Sequence, residues 1–177
     1  KKNKINILNI SRFEKQKDHL TLLKAINSSK IKNRINLILV GYGSELKEIK
    51  NYVYKNKIKT KFYLQERKLN KFYKKSDLYI CSSLYEGLPT TMVEAASYCL
   101  PIISSNFKSG SNEILSNGKS GYIFEIEDFI KLSKYIEEFY YYPHRFYKKE
   151  EFCRKNLGLF SIKKNTIIFN LLIKKLF

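Results

Sequence analysis

The chain has 177 residues, enough for one domain with a substantial core. Its 44% hydrophobic and 15% aromatic content excludes a disordered polypeptide, and no uncharged apolar run reaches the roughly 18 residues of a membrane span. Lys+Arg outnumber Asp+Glu by 34 to 16, a net charge of +18 that calls for an explanation.

Short apolar runs alternate with helical patterns along the chain. Strands are expected at Ile5 to Ile10, Asn36 to Val40, Thr60 to Leu64, Asp77 to Ser82, Pro101 to Ser104 and Ser120 to Phe124. Helices are expected at His19 to Ile26, Ser44 to Asn56, Arg67 to Lys75, Pro89 to Tyr98, Asp128 to Tyr140, Arg145 to Asn156 and Ile162 to Lys175. A short helical turn is expected at Asn112 to Leu115, and a joint at "YYYPHRFYKK". Continuous apolar strands separated by helices predict an α/β fold: a Rossmann-like, doubly wound, six-stranded parallel sheet with helices on both faces. The whole chain reads as one domain, with its core over 5–140 and closing helices over 145–175.

The lysines are scattered rather than gathered into one block. Lys, Asn, Ile, Tyr and Phe are all encoded by AT-rich codons, so compositional drift is the first reading of the charge. Attraction to an anionic membrane comes second. Nucleic acid comes last, because no RNP-like or zinc-finger pattern is present. Cys81, Cys99 and Cys153 are odd in number and lack metal-ligand spacing, so they read as reduced thiols, with Cys81 and Cys99 in the core. His19 and His144 are too few for a His-based metal site or a Ser-His-Asp triad.

In a doubly wound sheet the loops after strands one and four flank the ligand crevice. The first of these loops, "SRFEKQKD", holds Arg12 and Lys17, and the second holds "EGLPTTMVE", Glu86 to Glu94. Pro89 is suited to the first helical position, where its missing N–H costs nothing. The N–H groups of Leu88, Thr90 and Thr91 would then form an anion site, which Gly87 lets a ligand approach. Arg12 and Lys17 would close over the same phosphates. Glu94 lies on the Thr90 face of the helix, suited to a diol such as ribose, and Glu86 faces the far side. Diphosphate binding with a carboxylate at each end fits a nucleotide-sugar. Two solvated acids, or a glycosidase carboxylate pair, are the rival readings. Gly41 and Gly43, in "GYG", are expected to make a tight turn, with a ligand passing nearby. Glu113 is expected to cap or pair near the crevice. The aromatic cluster Phe139 to Tyr142, with Phe146 and Tyr147, is expected in helix packing.

Five ordered blocks carry a resemblance: "ISRFEKQKDHLTLLKA", "LILVGYGSELKEIK", "FYLQERKLNKFYKKSDLYICSS", "EGLPTTMVE" with "AASYCLPIISSN", and "SGSNEILSNGKSGYIF". The chain resembles the C-terminal, donor-binding domain of retaining GT-B glycosyltransferases of family 4, the glycosyl transferases group 1, from Ile5 to about Glu138. The resemblance implies that Arg12 and Lys17 bind the donor diphosphate, Glu94 the ribose and Glu86 the transferred sugar. Gly87, Leu88 and Thr90 would help from the backbone, and the base would rest near Leu64 and Gln65. It implies retaining transfer of a hexose or N-acetylhexosamine from a UDP donor to a glycan or lipid-linked acceptor in bacterial surface polysaccharide assembly. No metal and no cofactor are implied, since the nucleotide-sugar is the substrate. Nothing before Lys1 supplies an acceptor domain, so the expectation is a donor half that is inactive without an N-terminal domain, in cis or in trans. The segment "KKNKINILNISRF" lacks a signal-peptide cleavage site, which points to the cytoplasm, with peripheral contact at the inner membrane face. Two alternatives stay open: a non-catalytic nucleotide-sugar-binding remnant, and a basic protein that docks on membrane or nucleic acid.

Overall fold

Strands rich in Ile, Leu and Val with no polar alternation must be covered on both faces, and the architecture meets that demand. The computed structural model describes residues 3–108, 110–156, 158, 161 and 166. The expected helix at Ile162 to Lys175 lies outside the described residues, apart from position 166. Six strands form one parallel sheet: β1 (Ile5–Ile10), β2 (Ile35–Val40), β3 (Thr60–Tyr63), β4 (Leu78–Cys81), β5 (Ile102–Ser105) and β6 (Tyr122–Phe124). Their order is β3-β2-β1-β4-β5-β6, so the winding reverses between β1 and β4. Ile5 pairs with Ile35, and Ile7 with Leu78. The connections carry α1 (His19–Ser28), α2 (Leu46–Lys55), α3 (Asn70–Lys75), α4 (Thr90–Ser97) and α5 (Ser111–Ile114). α6 (Phe129–Tyr141) and α7 (Pro143–Asn156) follow β6.

Neighbouring residues of β1 point into different cores. Ile5 and Ile7 join Leu22, Leu23 and Ile26 of α1 and Leu132 and Ile136 of α6. Leu8 and Ile10 join Phe72 and Tyr73 of α3 and Met92, Ala95 and Ala96 of α4. Two helices start on side-chain caps, where Asp18 accepts from the Thr21 N–H at 3.1 Å and Asp128 from that of Lys131 at 2.8 Å. In α6 the buried Leu132, Ile136 and Phe139 recur at helical spacing.

Four details differ from the sequence reading. The expected joint is a single residue, Tyr142, between α6 and α7. Cys81 is buried but Cys99 is exposed, because it follows α4 in the left-handed conformation (φ 59°). There the Leu100 N–H reaches back to the Ala95 carbonyl at 3.1 Å, closing the helix. Of the aromatic cluster, Phe139 and Phe146 are buried, whereas Tyr141, Tyr142 and Tyr147 stand in solvent. Gly41 and Gly43 serve close packing rather than a turn alone. A Cβ on Gly41 would lie 1.9 Å from the Ser11 carbonyl oxygen, and one on Gly43 2.3 Å from that of Phe13. The β1 loop thus runs directly along the β2 loop, with the Phe13 N–H donating to the Tyr42 carbonyl at 2.8 Å.

Candidate functional site

The reversal of winding leaves a crevice beyond the carboxyl ends of β1 and β4. The two loops that border it are tied together. The Leu84 N–H donates to the Gln16 carbonyl at 2.8 Å, Gln16 Nε2 to the Tyr85 carbonyl at 2.7 Å, and Ser82 Oγ to the Lys17 carbonyl at 3.1 Å. Ser105 Oγ holds the Ser83 carbonyl at 2.6 Å from the neighbouring strand.

Two adjoining cavities occupy the crevice. One, of about 240 Å³, is walled by Arg12 and Lys17 on one side and by Ser83, Glu86, Leu88 and Thr90 on the other. The other, of about 560 Å³, lies beyond the ends of β2 and β3, between Gly41, Tyr42, Gln65, Arg67 and Leu69. Ile10, Ser11 and Arg12 line both. Ser11 is held from several directions. Its N–H donates to the Val40 carbonyl at 3.0 Å, its hydroxyl donates to Asn9 Oδ1 at 2.8 Å, and Asn9 Nδ2 donates to the Ile80 carbonyl at 2.9 Å. His19 Nε2 lies 3.0 Å from Ser11 Oγ. The hydroxyl proton is committed to Asn9, so Nε2 is the donor. Burial, and then the nearby charge of Lys17, lowers the His19 pKa to about 4. The ring is therefore neutral at pH 7.

Within the smaller cavity Lys17 Nζ meets Glu86 Oε1 at 2.5 Å, and Ser83 Oγ donates to the same oxygen at 2.7 Å. Both charged side chains are largely buried, 14% and 12% exposed, so each meets the other in a partly dry environment. Pro89 is the N-cap of α4 rather than its first residue, with φ −75° and ψ 87°. The first intrahelical donor is the Met92 N–H, to the Pro89 carbonyl at 2.9 Å. The amides of Thr90 and Thr91 precede that bond and belong to the helix N-terminus, where partial positive charge collects. The Tyr79 hydroxyl donates to Thr91 Oγ1 at 2.8 Å and anchors this end of the helix.

The sequence-predicted residues fall into two groups. Arg12, Lys17, Glu86, Leu88 and Thr90 meet around the smaller cavity, and Gly41 lines the larger. Glu94, Gly87 and Leu64 line neither. Glu94 instead accepts from the Tyr73 hydroxyl at 2.9 Å. Burial, followed by the Glu94 charge, pushes the Tyr73 pKa upward, so Tyr73 remains a donor. Leu64 is exposed, and the residues after it, Gln65 to Arg67, form the wall. Gly87 is exposed on the turn, and a Cβ there would touch no protein atom. Glu113 is exposed on α5. Gly110, which opens α5, packs against the Glu86–Pro89 turn; a Cβ on it would come within 2.8 Å of the Gly87 carbonyl oxygen. Sequence reasoning missed Asn9, Ser11, His19 and Ser83. "NISR" across the end of the first strand and "CSSLYE" across the end of the fourth were the available signals, since polar residues there end a mostly apolar run. Among the described residues, no group of three or more His, Cys, Asp or Glu could hold a metal ion.

A polar crevice with cations, a helix N-terminus and flanking carboxylates, at the switch point of a parallel sheet, defines the ligand-binding half of a Rossmann-like protein. The family model described as glycosyl transferases group 1 matches residues 1–156, and the chain belongs to that family. It is 36% identical over 112 residues to an uncharacterized glycosyltransferase of Methanocaldococcus jannaschii, covering 61% of this chain and 27% of the relative. It is 32% identical over 129 residues to the amylovoran biosynthesis glycosyltransferase AmsD of Erwinia amylovora, covering 68% and 34% respectively. HepE of Anabaena, solved in complex with UDP and glucose, superposes with a TM-score of 0.87 at 18% identity, covering 97% of this chain and 49% of that one. The fold is that of one half of GT-B glycosyltransferases. The chain spans about a third of the length of the two curated relatives.

Proposed function

We propose that this domain binds the nucleotide-diphosphate sugar donor of a longer enzyme, and that the donor is a UDP-hexose or UDP-N-acetylhexosamine. The observation that carries the reading is the pair of cavities meeting at Ser11 and Arg12. The larger has room for a nucleoside, and the smaller takes a diphosphate against Arg12, Lys17 and the start of α4. Glu94 would hold the ribose hydroxyls once its bond to Tyr73 is shared or exchanged, and Glu86 the hydroxyls of the transferred sugar. Transfer with retention would build negative charge on the leaving diphosphate. Arg12, Lys17 and the α4 N-terminus would stabilise that charge in the role a metal has elsewhere. Turnover would need a second domain to bring the acceptor, and the likeness to the amylovoran enzyme supports a glycan or lipid-linked acceptor in polysaccharide assembly.

Calorimetric titration with UDP-, GDP- and ADP-sugars tests the donor reading, because the base fixes the donor class. Arg12→Ala should weaken binding by about tenfold to a hundredfold, the loss of a charge-assisted contact. Glu94→Ala should weaken it similarly. A chain that binds no nucleotide-sugar, or that binds equally well after both changes, defeats the proposal.

A further inference from the structure

In a parallel sheet every strand enters at the same end. Lys4 precedes β1, Arg34 precedes β2, Lys57 and Lys59 precede β3, and Lys74 and Lys75 precede β4. Lys30 follows α1 and Lys55 closes α2, both returning to that end. All of these cations are exposed. Contacts across the connections confirm that they share one pole. Arg34 Nη1 donates to Asn3 Oδ1 at 2.9 Å, Asn6 Nδ2 to the Lys75 carbonyl at 2.9 Å, and Lys32 Nζ to the Asn56 carbonyl at 2.6 Å.

The acids at this pole are occupied or buried. Asp77 is buried and accepts from the Asn6 N–H at 2.9 Å. Glu137 accepts from the Lys30 N–H at 2.7 Å, and Glu138 pairs with Arg145 at 3.1 Å. Glu14, Glu45, Glu66, Glu86, Glu125 and Glu127 instead lie at the opposite, crevice end, in the loops that leave the strands or at the start of the helix that follows. Attraction of cations to helix C-termini accounts for Lys55 and Lys75. It accounts equally for Lys57, which follows the C-cap of α2, but not for Lys4, Arg34 and Lys59, which directly precede strands.

Large tyrosines stand among these cations. Tyr54, near the end of α2, is 88% exposed, and Tyr141 and Tyr142, at the end of α6, are 47% and 49% exposed. A groove of about 260 Å³ between Lys59, Lys61 and Lys75 has the size and charge for a headgroup phosphate.

We infer that this pole docks on an anionic lipid bilayer, with the crevice facing away from it. Exposed tyrosines suit a bilayer, because their rings settle at headgroup level while lysines meet the negative leaflet surface, and the sequence has no RNP-like or zinc-finger pattern to favour a nucleic acid. Among the described residues no helix is long and apolar enough to cross a membrane, and the contact inferred is one at the bilayer surface. The inference goes beyond the donor reading and does not depend on it, since the crevice lies at the other end.

The test uses the full 177-residue chain. It should bind vesicles containing about a third phosphatidylglycerol and ignore pure phosphatidylcholine, and binding should fall steeply with salt. Each cation removed should lower partitioning about fivefold, so Lys57→Gln, Lys59→Gln, Lys74→Gln and Lys75→Gln together should cost more than about a hundredfold. The matched set Lys47→Gln, Lys68→Gln, Lys108→Gln and Lys131→Gln removes the same charge at the crevice end and should cost far less. The chain has no tryptophan, so Tyr54→Trp gives a single reporter. Its emission should shift to the blue on anionic vesicles and be quenched by headgroup-labelled lipid, while Tyr42→Trp at the crevice should not respond. Equal losses from the two lysine sets, a response from Tyr42→Trp, no binding to anionic vesicles, or capture by duplex DNA in preference to vesicles would each overturn the inference.

Discussion

Acidification from pH 7 to pH 5 should remove about 2 kcal/mol of stability through His19 alone. The ring is 3% exposed and meets Phe13 edge-on at 5.0 Å between centroids. Nε2 already donates to Ser11, and Nδ1 is buried without a hydrogen-bond partner. A second proton must therefore enter at Nδ1, away from water and near Lys17, which lowers the pKa from 6.5 to about 4. The folded pKa lies below the unfolded one. Between those values the unfolded chain binds a proton that the folded chain refuses, so stability is complete above the unfolded pKa and falls as pH drops towards the folded one. The whole window is worth about 3 kcal/mol, of which about 2 falls between pH 7 and pH 5. The only other histidine, His144, is exposed, and carboxylates titrate mainly below this range. Urea unfolding of the parent and of His19→Gln, at constant ionic strength across this range, isolates the effect. Glutamine can still donate to Ser11 but does not titrate. The parent should lose about 2 kcal/mol more than the variant. Parallel stability curves for the two would refute the buried, neutral imidazole.

Gly41→Ala should lower stability by about 2–4 kcal/mol in urea unfolding, because the new methyl meets the Ser11 carbonyl oxygen at 1.9 Å and both clashing groups are backbone-bound. Gly87→Ala should leave stability within about 0.5 kcal/mol, as its Cβ meets no protein atom. In calorimetry it should nevertheless weaken nucleotide-sugar binding about tenfold, and unchanged binding would remove Gly87 from the site. Glu86→Gln frees Lys17 from its 2.5 Å partner. UDP alone should then bind several-fold tighter while the preference for UDP-sugar over UDP shrinks; an unaltered preference would show that Glu86 does not meet the sugar.

The strands were legible because full burial on both faces writes a nearly continuous apolar run, as in "LYIC". The crevice was legible at loop level, since the strand order alone brings the Arg12 loop beside the Glu86 loop. Side-chain partners were not. Lys17 and Glu86 were expected at opposite jobs, yet the chain turns bring them together, and a spacing of 69 residues carries no sign of that. Pro89 was expected at the first helical position, and its non-helical ψ of 87° makes it the N-cap instead. Cys99 looked like core because its neighbours are apolar. Its place after the last turn of α4 forces a positive φ and turns the side chain outward.

The distribution of charge shows a more general limit. Read along the chain, the lysines are scattered, and drift in composition explains them as well as any partner does. The β-α repeat changes that reading, because it returns the chain to the same pole before every strand. Positions 4, 34, 59 and 75, far apart in sequence, become neighbours at the entrances of β1 to β4. Acids placed after strands gather at the other end by the same operation. Compositional drift has no reason to respect which side of a strand a codon falls on. A crevice end that holds the carboxylates beside a helix N-terminus, and an opposite end left almost purely cationic, is the separation that the two proposed roles would require. On the two proposed roles, one end would discriminate among small ligands at close range, and the other would act by long-range attraction, which exposed lysines serve well.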